Sequence, residues 1–168
     1  IDTALDAGVD RVLAISSDKA VHPINLYGAT KLVMEKLIIQ ANVYVGTMFS
    51  CIRFGNFFGS RGSVLPLWEK QRTTGEITLT EREMTRFWIT LTDATEFAVR
   101  CLDRMEGGEI FIPLMPEEVM EDLAHQVAPE AVIKVIGRRD GEKLHELLLA
   151  EGENPRKEKD CYVIKVDF

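Results

Sequence analysis

The sequence predicts an α/β fold built on a parallel sheet. Short apolar runs, Arg11–Ser17 and Phe49–Phe54 among them, are long enough for buried strands and too short for helices. Between them lie stretches with helical spacing, and glycine or proline marks many of the joints. Strands that are apolar on both faces are what a sheet covered by helices requires.

The elements follow in order. Residues 1–8 (IDTALDAG) read as the last turns of a helix closed by Gly8, and 11–17 (RVLAISS) as the first strand. After Pro23, the spacing of Tyr27, Lys31, Met34, Leu37 and Ile38 predicts a helix over 27–42. A second strand spans 49–54, followed by the small-residue stretch 55–63 (GNFFGSRGS). Pro66 opens a helical stretch, and a short β-like run covers 77–80. Asp93 with Glu96 three residues on predicts an N-cap and capping box for a helix that stops at Gly107–Gly108. Then come a strand (109–112), a helix (119–128), a strand (132–136), a short helix near 144–149, a polar loop (151–160) and a last strand (162–166). There is no internal repeat and no low-complexity segment.

Composition narrows the function classes. The chain has 168 residues, 46% hydrophobic and 28% charged, which fits a globular domain rather than a disordered one. A formal net charge of −7 disfavours non-specific binding to nucleic acid or to an anionic membrane. Cys51, Cys101 and Cys161 stand far apart with no CxxC spacing, and His22, His125 and His145 are isolated. That pattern argues against a metal site and a disulfide framework and suits a reducing cytoplasm. No apolar run approaches the length of a membrane span, so a soluble protein is expected.

The most specific feature is Tyr27-Gly28-Ala29-Thr30-Lys31. Residues at i and i+4 share a helix face, with Cβ atoms about 5–6 Å apart. An ammonium that close to a phenol favours the phenolate, which serves as acid or base toward a substrate hydroxyl. The pair opens a helix ten residues after a strand ending in Ser16-Ser17, where sites in open α/β sheets occur. Asp18-Lys19 add an acid and an amine at the same strand end.

At these residues the chain resembles the extended short-chain dehydrogenase/reductase superfamily. The run SSDKAVHPINLYGATKL is similar to the signature of the inverting UDP-N-acetylglucosamine 4,6-dehydratases, in their short soluble form that retains the tyrosine. Arg53-Phe54-Gly55-Asn56, Gly59 to Val64 (GSRGSV), Glu83 to Trp88 (EMTRFW) and Gly137 to Glu146 (GRRDGEKLHE) resemble further segments of that family. The resemblance implies an NAD(P)-binding Rossmann-like parallel sheet, of which this chain is the C-terminal part, with a small substrate-binding lobe. Residues 1–60 and 86–113 would form the rest of the Rossmann-like domain, and 61–85 with 114–168 the lobe for the nucleotide sugar.

The roles implied by the resemblance are specific. Ser17 orients the reacting hydroxyl, Tyr27 is the acid/base, and Lys31 binds the nicotinamide ribose and tunes Tyr27. Asp18 acts as acid at the C6 hydroxyl and Lys19 as base at C5. Phe54 joins Tyr27 and Lys31 around the cofactor. Asn56, Arg61, Arg86 and either or both of Arg138 and Arg139 bind the UDP-N-acetylhexosamine, with Arg86 as a bidentate partner of its pyrophosphate. The cofactor is NADP, with NAD as the alternative, and the full-length protein is a cytoplasmic homo-oligomer. An NDP-sugar 4-epimerase needs neither Asp18 nor Lys19, and an inactive remnant would be expected to have lost at least one of the five catalytic groups. No GxGxxG occurs in the chain, so the phosphate-cradling half, roughly 100 residues on the scale of half a Rossmann domain, is expected upstream and the chain reads as a fragment.

Overall fold

In the computed structural model the apolar runs become strands, and the structure describes residues 1–60 and 62–166. The strands are β1 (Arg11–Ser17), β2 (Met48–Phe54), β3 (Asn56–Phe57), β4 (Glu76–Leu79), β5 (Thr85–Ile89), β6 (Glu109–Pro113), β7 (Glu117–Val119), β8 (Val132–Val135), β9 (Arg156–Lys157) and β10 (Cys161–Lys165). The helices are α1 (Asp2–Asp6), α2 (Leu26–Gln40), α3 (Val64–Gln71), α4 (Leu91–Arg104) and α5 (Met120–Val127). Two compact units result, one of 1–54, 92–114 and 147–166, the other of 55–91 and 115–146.

The first unit carries a five-stranded sheet in the order β1-β2-β6-β10-β9. β1 pairs in parallel with β2 from Arg11↔Met48 to Ser17↔Phe54, and β2 in parallel with β6. These are the apolar runs that the sequence marks, and their parallel pairing is the α/β arrangement expected. β10 departs from it, running antiparallel to β6 from Cys161↔Pro113 to Lys165↔Glu109, with β9 antiparallel outside it. Ile39 of α2 packs with Cys51, Ile110, Ile112 and Ile164, and Leu148 and Leu149 lie against this cluster.

The second unit holds a sheet in the order β3-β5-β7 and a parallel pair of β4 with β8. Its core gathers Trp68 of α3, Ile77 and Leu79 of β4, Met84, Trp88 of β5, and Leu123 and Ala124 of α5. Gly55 lets β3 approach β5: a Cβ there would lie 2.6 Å from the carbonyl oxygen of Phe87.

Three expectations are corrected. The segment near 144–149 is not a helix. A helix would need the carbonyl of Leu144 for residue 148, but that oxygen accepts from the Thr85 amide (3.2 Å) and from Arg86 Nη1 (3.1 Å). Helix α4 begins at Leu91, so Asp93 lies in its first turn rather than at the cap, where its charge complements the helix N-terminus. Residues 147–166, expected with the second lobe, belong to the first unit because β10 completes its sheet, whereas 86–91 fall in the second unit through β5.

All three cysteines are free and buried. Burial pushes the Cys51 and Cys101 thiols up to about 12, so neither supplies thiolate near neutral pH. These three thiols should therefore react with a reagent such as dithionitrobenzoate only at the rate of unfolding, and all three should react once the protein is denatured in urea.

Candidate active site

The carboxyl end of β1 runs directly into a tight turn, Asp18–Ala20, that concentrates three polar side chains. Ser17 caps it: its Oγ accepts from the Lys19 amide at 3.3 Å and donates to Asp18 Oδ1 at 2.9 Å. The same Oδ1 accepts from Lys19 Nζ at 3.0 Å. Asp18 is 0% exposed, and its other oxygen, Oδ2, has no hydrogen-bond partner among the described residues. A buried polar atom left unpaired costs roughly 1–3 kcal/mol, and such atoms concentrate where a ligand completes the bonding.

Helix α2 brings the second pair of groups to the same strand. Asn25 caps it, its Oδ1 accepting from the Gly28 amide at 2.8 Å. Lys31 Nζ donates to the carbonyl of Ile15 in β1 at 2.9 Å and stands 5.8 Å from the centre of the Tyr27 ring. The expected adjacency of Tyr27 and Lys31 is therefore present, and Tyr27 is 53% exposed, open to a ligand.

Gly28 lets this helix press against the Asp18–Ala20 turn. A Cβ at that position would lie 2.2 Å from the carbonyl oxygen of Lys19 and 3.0 Å from Cβ of Pro23. Gly28→Ala must push the turn and the helix apart. Misplacing catalytic groups by about 1 Å costs on the order of 10²-fold in rate, whereas overpacking costs about 1–3 kcal/mol of stability. The variant should fold and lose kcat by that factor, as steady-state rates set beside a thermal melt would report.

The remaining candidates are placed as follows. The ring of Phe54 is buried and meets Phe97 edge-on at 6.2 Å between centroids, so it is a packing group rather than a surface for stacking. Asn56 lies half-buried on β3, paired with Trp88, on which Phe58 stacks at 4.8 Å. Arg86 is buried, its Nη1 donating to the carbonyls of Thr85 (2.6 Å) and Leu144 (3.1 Å) and its Nη2 to that of Lys143 (2.9 Å). In this arrangement its guanidinium ties β5 to the 143–144 segment instead of presenting a free bidentate face. Arg138 and Arg139 are exposed in a turn where the Glu142 amide donates to the Arg139 carbonyl at 3.1 Å. Arg61 lies outside the described residues. Ser17, Asp18, Lys19, Tyr27 and Lys31 thus share the first unit, while Asn56, Arg86, Arg138 and Arg139 belong to the second.

Sequence reasoning missed one polar assembly beside α2. Arg53 on β2 is 1% exposed and gripped by two carboxylates, Glu35 of α2 and Glu153. The signal was present: an arginine inside a buried apolar strand demands a counter-charge.

A strand, a charged turn and a Tyr-x-x-x-Lys helix on a mostly parallel sheet define a Rossmann-type fold of the short-chain dehydrogenase/reductase kind. The chain belongs to the polysaccharide biosynthesis protein family, whose model matches residues 1–166. The inverting UDP-N-acetylglucosamine 4,6-dehydratase of Campylobacter jejuni is 46% identical over 159 residues, covering 92% of this chain and 48% of that protein, which bears out the resemblance. The UDP-glucose 4-epimerase of Rickettsia rickettsii is 36% identical over 177 residues, 99% of this chain and 52% of its own. The chain thus spans about half the length of the curated relatives it matches. Among solved structures, Pen from Bacillus thuringiensis superposes with a TM-score of 0.92 at 38% identity, over 98% of this chain and 55% of that one. DesIV of Streptomyces venezuelae, a dTDP-glucose 4,6-dehydratase, shares the fold with a TM-score of 0.78 at 20% identity, over 86% and 53%. No helix among the described residues is long and apolar enough to cross a membrane.

Proposed function

We propose that the chain carries the catalytic strand and helix of a nicotinamide-dependent dehydratase that converts UDP-N-acetylglucosamine to a UDP-4-keto-6-deoxy-N-acetylhexosamine with inversion at C5. The observation that carries this reading is the hydrogen-bonded array Ser17-Asp18-Lys19 at the end of β1, with the unpartnered Oδ2 of a fully buried Asp18. Oxidation and return at C4 alone, as in a 4-epimerase, uses only a hydroxyl base. Removing water across C5 and C6 requires a further base and a further acid, and this turn supplies both.

The residues of α2 fit a nicotinamide cofactor: Lys31 is an ammonium with three donors, one of which goes to Ile15, and it stands beside a half-exposed phenol. Lys31 would hold the ribose hydroxyls and Tyr27 would stand next to the ring; NADP is the form proposed. When bound, the cofactor would accept hydride from C4 and give it back at C6, so it would be regenerated in each cycle. Tyr27 accepts the proton of the C4 hydroxyl, which Ser17 orients. With C4 a ketone, the C5 proton is acidic and Lys19 removes it. Asp18 donates a proton to the C6 hydroxyl, which leaves as water. Proton return to C5 from the opposite face gives the inverted sugar. Asn56, Arg61, Arg86, Arg138 and Arg139 are proposed to bind the nucleotide sugar, Arg86 after giving up a carbonyl contact. The product feeds surface-glycan or nonulosonic-acid synthesis, and the enzyme works in the cytoplasm as a homo-oligomer.

The test is incubation of the native gene product containing this chain with UDP-N-acetylglucosamine in deuterated water. Loss of one water, with deuterium and inverted configuration at C5 by mass spectrometry and proton NMR, is the expected result. An unchanged mass with UDP-N-acetylgalactosamine formed would replace the dehydratase reading with a 4-epimerase, the reaction type that the Rickettsia relative's name gives for UDP-glucose. Bound cofactor without turnover of either kind would leave an inactive remnant.

A further inference from the structure

Tyr27, Lys31 and Glu35 follow one another at i, i+4 and i+8 on α2, a spacing that keeps them along one stripe of the helix. Two of the three are tied to the sheet. Lys31 Nζ reaches the Ile15 carbonyl on β1, and Glu35, 0% exposed, reaches Arg53 on β2. The anchors lie at neighbouring levels, because Ile15 pairs with Ile52 and Ser16 with Arg53 in the β1–β2 register. The Arg53 tie is also the more rigid one. Its Nε donates to Glu35 Oε1 at 3.1 Å and its Nη2 to Oε2 at 2.8 Å, a side-on bidentate pair. Its other donors go to Glu153 Oε1 and Oε2 (3.0 and 2.9 Å) and to the Leu148 carbonyl (2.7 Å), so all five N–H groups of the guanidinium are engaged. A guanidinium fixed from five directions cannot slide, and the carboxylate it grips cannot either.

We infer that Glu35 and Arg53 are positioning residues, which fix the height of α2 against the sheet and thereby the place of Tyr27 and Lys31. The inference rests on the proposed acid/base role of that pair. Neither Glu35 nor Arg53 touches substrate; each acts through the helix. Glu153 closes the other side of the guanidinium from the 147–153 segment. It accepts from Arg53 and from the Ala150 amide and meets α2 only through the charge of Lys36, so its loss weakens the fold while the bidentate Glu35–Arg53 tie still holds the helix.

The experiment compares Glu35→Gln with Glu153→Gln in the native gene product containing this chain. Two readouts are taken, kcat and KM per folded molecule and the NMR resonance of Tyr27 in protein labelled with carbon-13 at tyrosine Cζ. Glu35→Gln is expected to lower kcat by roughly 10–100-fold at unchanged KM, the scale of a misplaced catalytic group, and to move the Tyr27 resonance. Glu153→Gln is expected to lower thermal stability and leave both readouts at their wild-type values. Unchanged kcat and resonance in Glu35→Gln would overturn the inference, as would equal losses of kcat in the two variants. Should Glu35→Gln not fold, Glu35→Asp keeps the charge, shortens the arm by one methylene, and is read against the same two outcomes. Should the wild type prove not to dehydrate its substrate, the resonance still decides, so failure of the dehydratase reading and failure of this one are seen separately.

Discussion

Tyr27→Phe should lower kcat by about 10²–10⁴-fold, the range supplied by a positioned proton-transfer group, while the protein melts near the wild-type temperature. The phenol is half-exposed, so its removal leaves no buried cavity, and surface changes of this kind usually stay within about 0.5 kcal/mol. The ring remains, and with it the packing of Lys31 over its face. What disappears is the oxygen proposed to take the C4 proton. Because the C5 proton becomes acidic only after C4 is oxidised, the variant should also fail to incorporate deuterium at C5. Lys19→Ala should fail differently, permitting C4 oxidation but no exchange at C5. Proton NMR of the sugar in deuterated water separates the two, and exchange at C5 in Tyr27→Phe would remove Tyr27 from the role assigned here.

How far the sequence carried depends on the distance over which each feature is determined. Ser17, Asp18 and Lys19 are adjacent, and Tyr27 and Lys31 are one helical turn apart, so backbone geometry alone brings each group together. β1, β2 and α2 were legible for the same reason: a run of apolar residues or a helical period is a local property. The features that escaped are fixed by remote partners. The antiparallel direction of β10 follows from its pairing with β6, some fifty residues earlier, and nothing in CYVIK records it. The 144–149 stretch has helical spacing, but its Leu144 and Leu148 carbonyls are taken by Thr85, Arg86 and Arg53. The resemblance of EMTRFW offers Arg86 as a partner of the pyrophosphate, and nothing local in that segment records that the carbonyls of Lys143 and Leu144 hold its guanidinium. Arg53 is 18 residues from Glu35 and 100 from Glu153, and only folding joins them.

Arg53→Met is the substitution expected to cost most in stability. Breaking a buried ion pair by removing one partner typically costs about 3–5 kcal/mol, because the surviving charge stays buried without compensation. Here two carboxylates survive, and Glu35 is fully enclosed, while the methionine fills the stem of the side chain and so isolates the loss of charge and hydrogen bonds from the loss of packing. Against the 5–15 kcal/mol that holds an ordinary domain together, such a loss should bring the urea midpoint down steeply. The pH dependence identifies the cause. Burial alone would raise the Glu153 carboxyl, but hydrogen bonds from Arg53 and from the Ala150 amide, with the charge of Arg53, outweigh it and hold the group below the usual carboxylate range. A carboxyl depressed in the folded state contributes stability that is complete above its unfolded value, near 4.5, and is lost as the pH falls through the folded one. Wild-type protein should therefore lose stability as the pH drops below about 4.5, through this group among others. Arg53→Met should start lower at neutral pH and fall less steeply in that acid window, since the main source of the depression has been removed. Urea midpoints taken across the acid range would show it, and parallel pH profiles in the two proteins would mean that the Arg53–Glu153 pair contributes no net stability.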